Sequence, residues 1–534
     1  MSQKKEPKFL SEREQQIERL LRNSEIRNGA FIRYYGKESE IILPDDIVSI
    51  AEGAFRGNRN LISLTLGRGV EVIHEEAFRD CVNLRQVNLN AGLITIGEAA
   101  FRGCSSLLTV SLPRSVRSLD HSAFRGCTAL STLILSEGLE TMGLHTFAGC
   151  ESLCEVALPE SLRVLRRGTF FGCTSLRRIR VPSQVHAVGR YAFAGCSSLE
   201  TVELHDGVRY LGGGAFSECR SLSSFVFPSE VKYISNRIFS GCDALTEVTL
   251  PPEILHIGQG AFCGCRSLGA LPLPAGVRRI EDSAFLGCSS LREMTIPASV
   301  EALGRKSFAY CTALTAVQFL SLSLSHLEPE TFASCFSLTE LRLPDSIETI
   351  DDRNFERCIA LESIHIPAAL EELGDRVFSQ CRALTRISLP LTLRKMGRAV
   401  FEGCASLETV LLPDRHMQTG DALFAGCTAL STLVISDSVV AFRRKRLRWA
   451  VSAAVNVIYR SELRLAILYA ELAREETPDE RKAVLRQEIR EQMALLKQRN
   501  RQHSTVLLKQ KIHSAAEAIG EQKRSATDAR DVSE

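Results

Sequence analysis

The chain is short of everything that usually marks a chemical site. Only one of its 534 residues is Trp, Trp449, and it has no C-x-x-C pair, no G-x-S-x-G elbow and no P-loop. A zinc clasp, a hydrolase nucleophile and a nucleotide cradle therefore have no basis in the sequence. His74-Glu75-Glu76-Ala77-Phe78 fails as a metalloprotease H-E-x-x-H because Phe78 stands in the second His place. The 11 histidines are scattered without metal spacing, and Gly212-Gly213-Gly214 runs straight into Phe216 and reads as a turn. No apolar run is long enough to span a membrane. Met1 to Leu10 is charged and lacks the apolar core of a signal peptide. The net charge of +2 offers no bulk attraction to nucleic acid. No cofactor, no metal and no catalytic constellation can be named, which leaves an enzyme the least supported class.

What the chain has is repetition. Ala123-Phe124-Arg125-Gly126-Cys127 returns as Ala100-Phe101-Arg102-Gly103-Cys104 and as Ala284-Phe285-Leu286-Gly287-Cys288. The Phe recurs 17 times, from Phe55 to Phe424; fifteen of the sixteen intervals are 23 residues, and Phe308 to Phe332 is 24. A fixed period of this size is the mark of a solenoid whose units stack only on their neighbours.

Other positions keep step. A Leu stands six after every Phe, apolar residues stand nine and eleven after it (Val110 and Leu112), and Pro stands twelve after it in eleven units. The alternation predicts a short strand with one face inward, which the Pro closes. An apolar residue returns eighteen after the Phe, as Ile96 does. Glycine often follows it, as at Gly97, Gly258 and Gly397, where a positive φ is expected. The rest of the return segment is expected to be a turn with a short irregular or helical piece. One such coil cannot bury its apolar side alone.

Leu107, Val110, Leu112, Pro113, Val116, Leu119, Ala123, Phe124, Gly126 and Cys127 fill one unit that resembles a leucine-rich repeat of the bacterial BspA type. The likeness runs from about Ile41 to Phe442. It implies an α/β repeat solenoid: a right-handed leucine-rich repeat array with a parallel sheet on its concave face. It also implies a protein-binding surface rather than a catalytic one. Members are best known as exported surface proteins, so the resemblance carries a cell-surface or secreted adhesin-like role as the alternative.

Of the 18 cysteines, 16 stand three after the repeat Phe. A residue tied to one repeat position is explained by packing, as a small apolar side chain in a column. Parallel Cβ vectors on stacked coils would not meet as a disulfide without distortion, so buried free thiols are expected. Cys154 and Cys263 lie off this register and are the expected accessible thiols. Many free thiols favour a reducing compartment and hence a cytoplasmic location.

The chain divides into four predicted segments. Residues 1–53 form an N-terminal cap. Ser11 with Glu14 starts a short helix, Ile17, Leu20 and Leu21 mark its apolar side, and Asn28-Gly29 ends it. Phe31 to Tyr35 makes a capping strand, and Ile41 to Ile50 a half coil. Residues 54–442 are the array; its 24-residue unit carries a bulge at Phe319 to Leu324 in the return segment. Residues 443–520 are a basic helical region, with 17 Lys and Arg against 8 Asp and Glu between Arg443 and Ile512. Ser461 to Glu475 is expected to be helical. Thr477-Pro478-Asp479-Glu480 is a strong helix start, and Val484, Leu485, Ile489, Met493 and Leu496 follow at helical spacing. Whether one helix or two cross Lys497 to Thr505 is left open. Residues 521–534 are a polar tail expected to be disordered.

Two surfaces qualify as candidate sites. The first comprises side chains eight and ten after each Phe: Glu155, Arg178, Arg180, Glu203, Glu340, Arg342, His365 and Arg386. On Glu155, Arg178, Arg180 and Glu203, opposite charges fall on successive coils, as either a solvated salt ladder or a polar partner patch. The second is the basic run Arg443, Arg444, Lys445, Arg446 and Arg448. It reads as a charged edge over the last coil or as a contact for nucleic acid or anionic lipid. The leading expectation is a non-enzymatic protein-interaction scaffold inside a bacterial cell, with self-association through the C-terminal helices. A regulator touching nucleic acid through those helices is the further alternative.

Overall fold

The computed structural model describes residues 12–412, 417–435, 456–459, 468 and 479–499. The chain splits into two compact units, Met1–Ser337 and Leu338–Glu534.

In the first unit, helix α1 (Glu12–Arg22) leads into strand β1 (Ser24–Arg27), which pairs antiparallel with β2 (Ala30–Tyr34). The helix ends at Arg22 and not near Asn28-Gly29. Those two residues hold φ of 50° and 78° and form the tight turn of a hairpin, the geometry for which Asn-Gly is favoured. Leu20 is buried beneath α1, whereas Leu21 is exposed. β2 runs parallel to Ser49–Ile50, and the Phe31 ring stacks on Phe55 at 4.9 Å. The cap thus supplies an aromatic lid to the first repeat.

From there each coil contributes two short parallel strands. The first ladder holds the residues eight to ten after the Phe. Glu40–Ile42, Ser63–Thr65, Gln86–Asn88, Thr109–Ser111 and Thr132–Ile134 pair in sequence. The middle residue points inward and its neighbours outward, as at Thr109–Val110–Ser111. The second ladder holds the residues seventeen and eighteen after the Phe, and runs from Ser49–Ile50 through Thr95–Ile96 to Thr141–Met142. The return segment is a series of hydrogen-bonded turns, not a helix: among the described residues the array contains none.

The turns hold the centre. In the first unit the Phe rings stack coil on coil, with centroids 5.0 Å apart at Phe78–Phe101 and 5.6 Å at Phe193–Phe216. In the second, Phe355–Phe378 and Phe401–Phe424 both stack at 5.5 Å. Each buried ring is worth roughly 1.5–3 kcal/mol in transfer alone. The backbone binds the same neighbours: Phe101 N–H donates to Ala123 O at 2.8 Å and Gly103 N–H to Arg125 O at 2.8 Å.

The cysteines do more than fill space. The Cys104 thiol donates to the carbonyl of Phe78 in the preceding coil at 3.2 Å, Cys127 to Phe101 at 3.3 Å, and Cys381 to Phe355 at 3.1 Å. None of the 18 cysteines is in a disulfide; Cys154 is exposed, and Cys263 and Cys427 are half-buried. Burial pushes the Cys81, Cys127 and Cys173 thiols up to about 12.

The glycine after the second ladder has a different role from the one expected. Gly97 does not lie in the left-handed region. A Cβ there would stand 2.9 Å from the backbone nitrogen of Glu75 in the previous coil. Close approach, not φ, excludes a side chain. Left-handed residues sit instead two before and two after the Phe, as Ser122 (φ 58°) and Gly126 (φ 76°) do around Phe124. The 24-residue unit absorbs its extra residue at the turn between the ladders. Ser321 donates there to Val300 O at 2.6 Å, and Leu322 stands in solvent.

In the second unit, Arg386–Ser388, Thr409–Leu411 and Thr432–Ile435 pair in register, and Asn456–Tyr459 adds to the last of them. The sheet therefore continues past residue 442. Helix α2 runs Asp479–Arg499, while Thr477 and Pro478 lie outside the described residues. The helix buries Leu485 and Ile489 and exposes Val484. Ser11, the run 443–448, Trp449 and the tail beyond 499 lie outside the described residues.

Two outcomes check this architecture. Ser122→Gly relieves a left-handed non-glycine residue and is expected to raise stability by up to about 1 kcal/mol. Gly97→Ala forces a coil outward and is expected to lower the urea midpoint; equal midpoints for the two variants would refute the assignment. The thiols give the second. In the unfolded chain they ionise near 9.0, but burial holds Cys127 protonated up to about 12 and raises the other buried thiols as well. Below about pH 9 both states keep the proton and stability is whole; above it the unfolded state loses protons first, and stability falls as pH climbs. In the folded chain dithionitrobenzoate should react fast with Cys154, slowly with Cys263 and Cys427, and not with the fully buried ladder thiols.

Candidate functional site

The first ladder carries the expected surface. Arg178–Arg180 lies parallel to Thr201–Glu203, with Arg180 opposite Glu203, and the charged side chains are exposed. The coil of Glu155 makes no full strand, only a bridge from Ile134 to Ala157, although Glu155 is exposed as expected. Arg180 turns away from Glu203 and meets Glu160 at 3.6 Å, both side chains about half exposed or more (73% and 49%). Among the described residues Glu155, Arg178 and Glu203 form no ion pair. The salt ladder read from the sequence is therefore absent from this stretch. The one pair formed is solvated and worth little, about 0–1 kcal/mol.

In the second unit Glu340–Arg342 pairs with Ser363–His365, so Arg342 and His365 stand side by side, both exposed. His365 Nε2 lies 3.4 Å from Asp345 Oδ1. Arg386 opens the next strand and is exposed. These residues present charge of both signs to solvent. The basic run Arg443, Arg444, Lys445, Arg446 and Arg448 lies outside the described residues.

The second ladder carries a feature that sequence reasoning missed. Its outward residue, seventeen after the Phe, is Tyr210, Tyr233 and His256 on three successive coils. Tyr210 and Tyr233 are 51% and 57% exposed, too open to serve the core. The Tyr233 and His256 rings stack at 5.5 Å with planes 13° apart. They line a groove of about 620 Å³ together with Arg190, Asn236, Gln259, Glu281 and Asp282. The backbone sets its depth: Gly213 and Gly258 line it, and a Cβ on Gly258 would strike the preceding coil. The signal is present in the 23-residue register, at the position just before the apolar residue eighteen after the Phe.

With two parallel ladders, a phenylalanine column and period-locked thiols, the fold is that of a leucine-rich repeat solenoid. The family model of the BspA type leucine rich repeat region matches residues 24–153, 118–246, 211–336 and 325–448. The chain belongs to that family. It is similar to a solved leucine-rich repeat protein of Bacteroides ovatus, at 22% identity over 81% of this chain and 94% of that one, with a TM-score of 0.48. A leucine rich cell surface protein of Faecalibacterium prausnitzii matches at 20% identity over 79% and 94%, with a TM-score of 0.35. One from Eubacterium ventriosum matches at 20% over 69% and 91%, with a TM-score of 0.42. No curated protein matches. Among the described residues no helix is long and apolar enough to cross a membrane.

Proposed function

We propose that the chain is a non-enzymatic scaffold that holds a protein partner inside a bacterial cell. One observation carries this reading. Arg178 and Arg180 stand in register with Thr201 and Glu203, and Glu340 and Arg342 with Ser363 and His365, as rows of exposed polar side chains on rigid strands. Such rows give a partner fixed register without costing the core anything, and arginine is favoured where binding energy concentrates. Membership of a repeat family whose units carry recognition agrees with it. Eighteen free thiols suit a reducing compartment. Helix α2, with Val484 exposed, is the candidate for self-association.

Affinity capture from the source lysate tests the partner surface, with wild type beside Arg178→Glu/Arg180→Glu and Glu340→Lys/Arg342→Glu. The expected result is a protein captured by wild type and reduced at least about tenfold by one pair of reversals. Identical capture by all three chains would remove this surface from the account. Protease treatment of intact cells tests location: the chain should stay whole until lysis, and cleavage in intact cells would place it outside.

A further inference from the structure

We propose that the groove over Tyr210, Tyr233 and His256 is a binding site for a neutral oligosaccharide, with one sugar ring lodged per coil. This site is separate from the protein-binding surface on the first ladder and does not depend on it. The floor offers two phenols and an imidazole, and the bank offers the carboxamides of Asn236 and Gln259. Asn236 Oδ1 already accepts the backbone N–H of Gln259 at 3.0 Å, which fixes that side chain and leaves its NH2 group for an outside acceptor. Asp282 Oδ1 is fixed likewise by Arg305 N–H at 2.9 Å. The two phenol hydroxyls, the His256 ring and the Gln259 carboxamide have no hydrogen-bond partner among the described residues. These groups both donate and accept, which is what a chain of hydroxyls requires.

Charge narrows the ligand. Arg190 stands against Glu281 and Asp282 in the lining, so the groove has no surplus of positive charge to draw a nucleic acid or an acidic glycan. Spacing narrows it further. The Tyr233 and His256 centroids are 5.5 Å apart, one coil to the next. An extended peptide repeats its side chains on one face at about 6.7 Å and falls out of step with the coils within three units. A β-linked pyranose chain advances by nearly one coil per sugar and stays in step. The floor also lacks an open apolar pocket for a peptide anchor: Ile234 lines it but is only 2% exposed.

The test uses the full chain and calorimetry with hexasaccharides of β-1,4-glucose, β-1,3-glucose, β-1,4-mannose, β-1,4-xylose and β-1,4-N-acetylglucosamine. A hexagalacturonate serves as the acidic control. At least one neutral hexamer should bind, with affinity rising with length up to about three rings and then levelling. Tyr233→Ala and Gln259→Ala should each weaken it at least about tenfold, while Arg180→Ala on the other ladder leaves it unchanged. Both variants alter exposed side chains, and unchanged melting shows that the array persists. Failure of every neutral hexamer to bind would overturn the proposal. So would tighter binding of the acidic one, or binding indifferent to both variants. A protein captured in a Tyr233-dependent way, with no sugar bound, would assign the groove to a protein partner and overturn it too. Loss of sugar binding says nothing about capture through Arg178 and Arg180, so the two readings fail independently.

Discussion

Within each unit, the carbonyl group of the repeat phenylalanine is where neighbouring coils are joined. The Phe101 oxygen accepts the backbone N–H of Cys104 in its own coil at 3.2 Å and the thiol of Cys127 in the next at 3.3 Å. The ring of the same residue lies between those of Phe78 and Phe124, at 5.0 and 5.2 Å. Turn closure, coil stacking and burial therefore meet at one residue. This explains why the Phe and the Cys keep one register while the residue between Phe and Gly varies freely: Arg102, Ala148, Phe171 and Leu286 all stand there. The thiol suits its place because it is apolar enough to be buried and still donates weakly. A hydroxyl would donate more strongly but would cost more to bury.

The same geometry imposes strain at fixed points. Residues two before and two after the phenylalanine adopt left-handed φ whatever their identity. Around Phe124 the second is Gly126, but around Phe308, Phe355 and Phe378 neither is glycine: Lys306 and Tyr310, Arg353 and Arg357, Arg376 and Gln380 all hold φ between 56° and 65°. Non-glycine residues in that region cost of order 1–2 kcal/mol each. They persist because the column and the two ladders over-determine each turn. Cooperation between coils thus supports conformations that no single coil could hold.

Much of this was legible in the sequence. The period, the inward residues at nine, eleven and eighteen, the closing proline and the unpaired thiols follow from register alone, because one repeat position meets one environment in every coil. What was not legible depends on distance between coils or on competing local structure. Gly97 could be there for its φ or for its missing Cβ, and only the 2.9 Å approach to Glu75 decides. Ser24 to Arg27 reads as helix until the Asn28-Gly29 turn pairs it with β2. The charges of Glu155, Arg178, Arg180 and Glu203 alternate in sequence. They fail to pair because Arg180 reaches Glu160 in the turn instead, and the coil of Glu155 forms only a bridge.

The second ladder shows how a repeat fold separates stability from recognition. Its inward residues, Ile96, Leu119, Val188 and Ile234, are all but fully buried and interchangeable in kind. Its outward residues are not constrained by the column, and small ones suffice where only the ladder must be kept: Thr95, Ser118, Thr141 and Ala187. Tyr210 and Tyr233 then occupy that place on consecutive coils, with more than half of their surface in water. They add little burial, their hydroxyls bond to nothing within the described residues, and a threonine would serve the strand as well. Large amphipathic rings held open at one coil's spacing are a poor contribution to the fold and a good one to a ligand. The array supplies the rigid spacing, and the groove uses it.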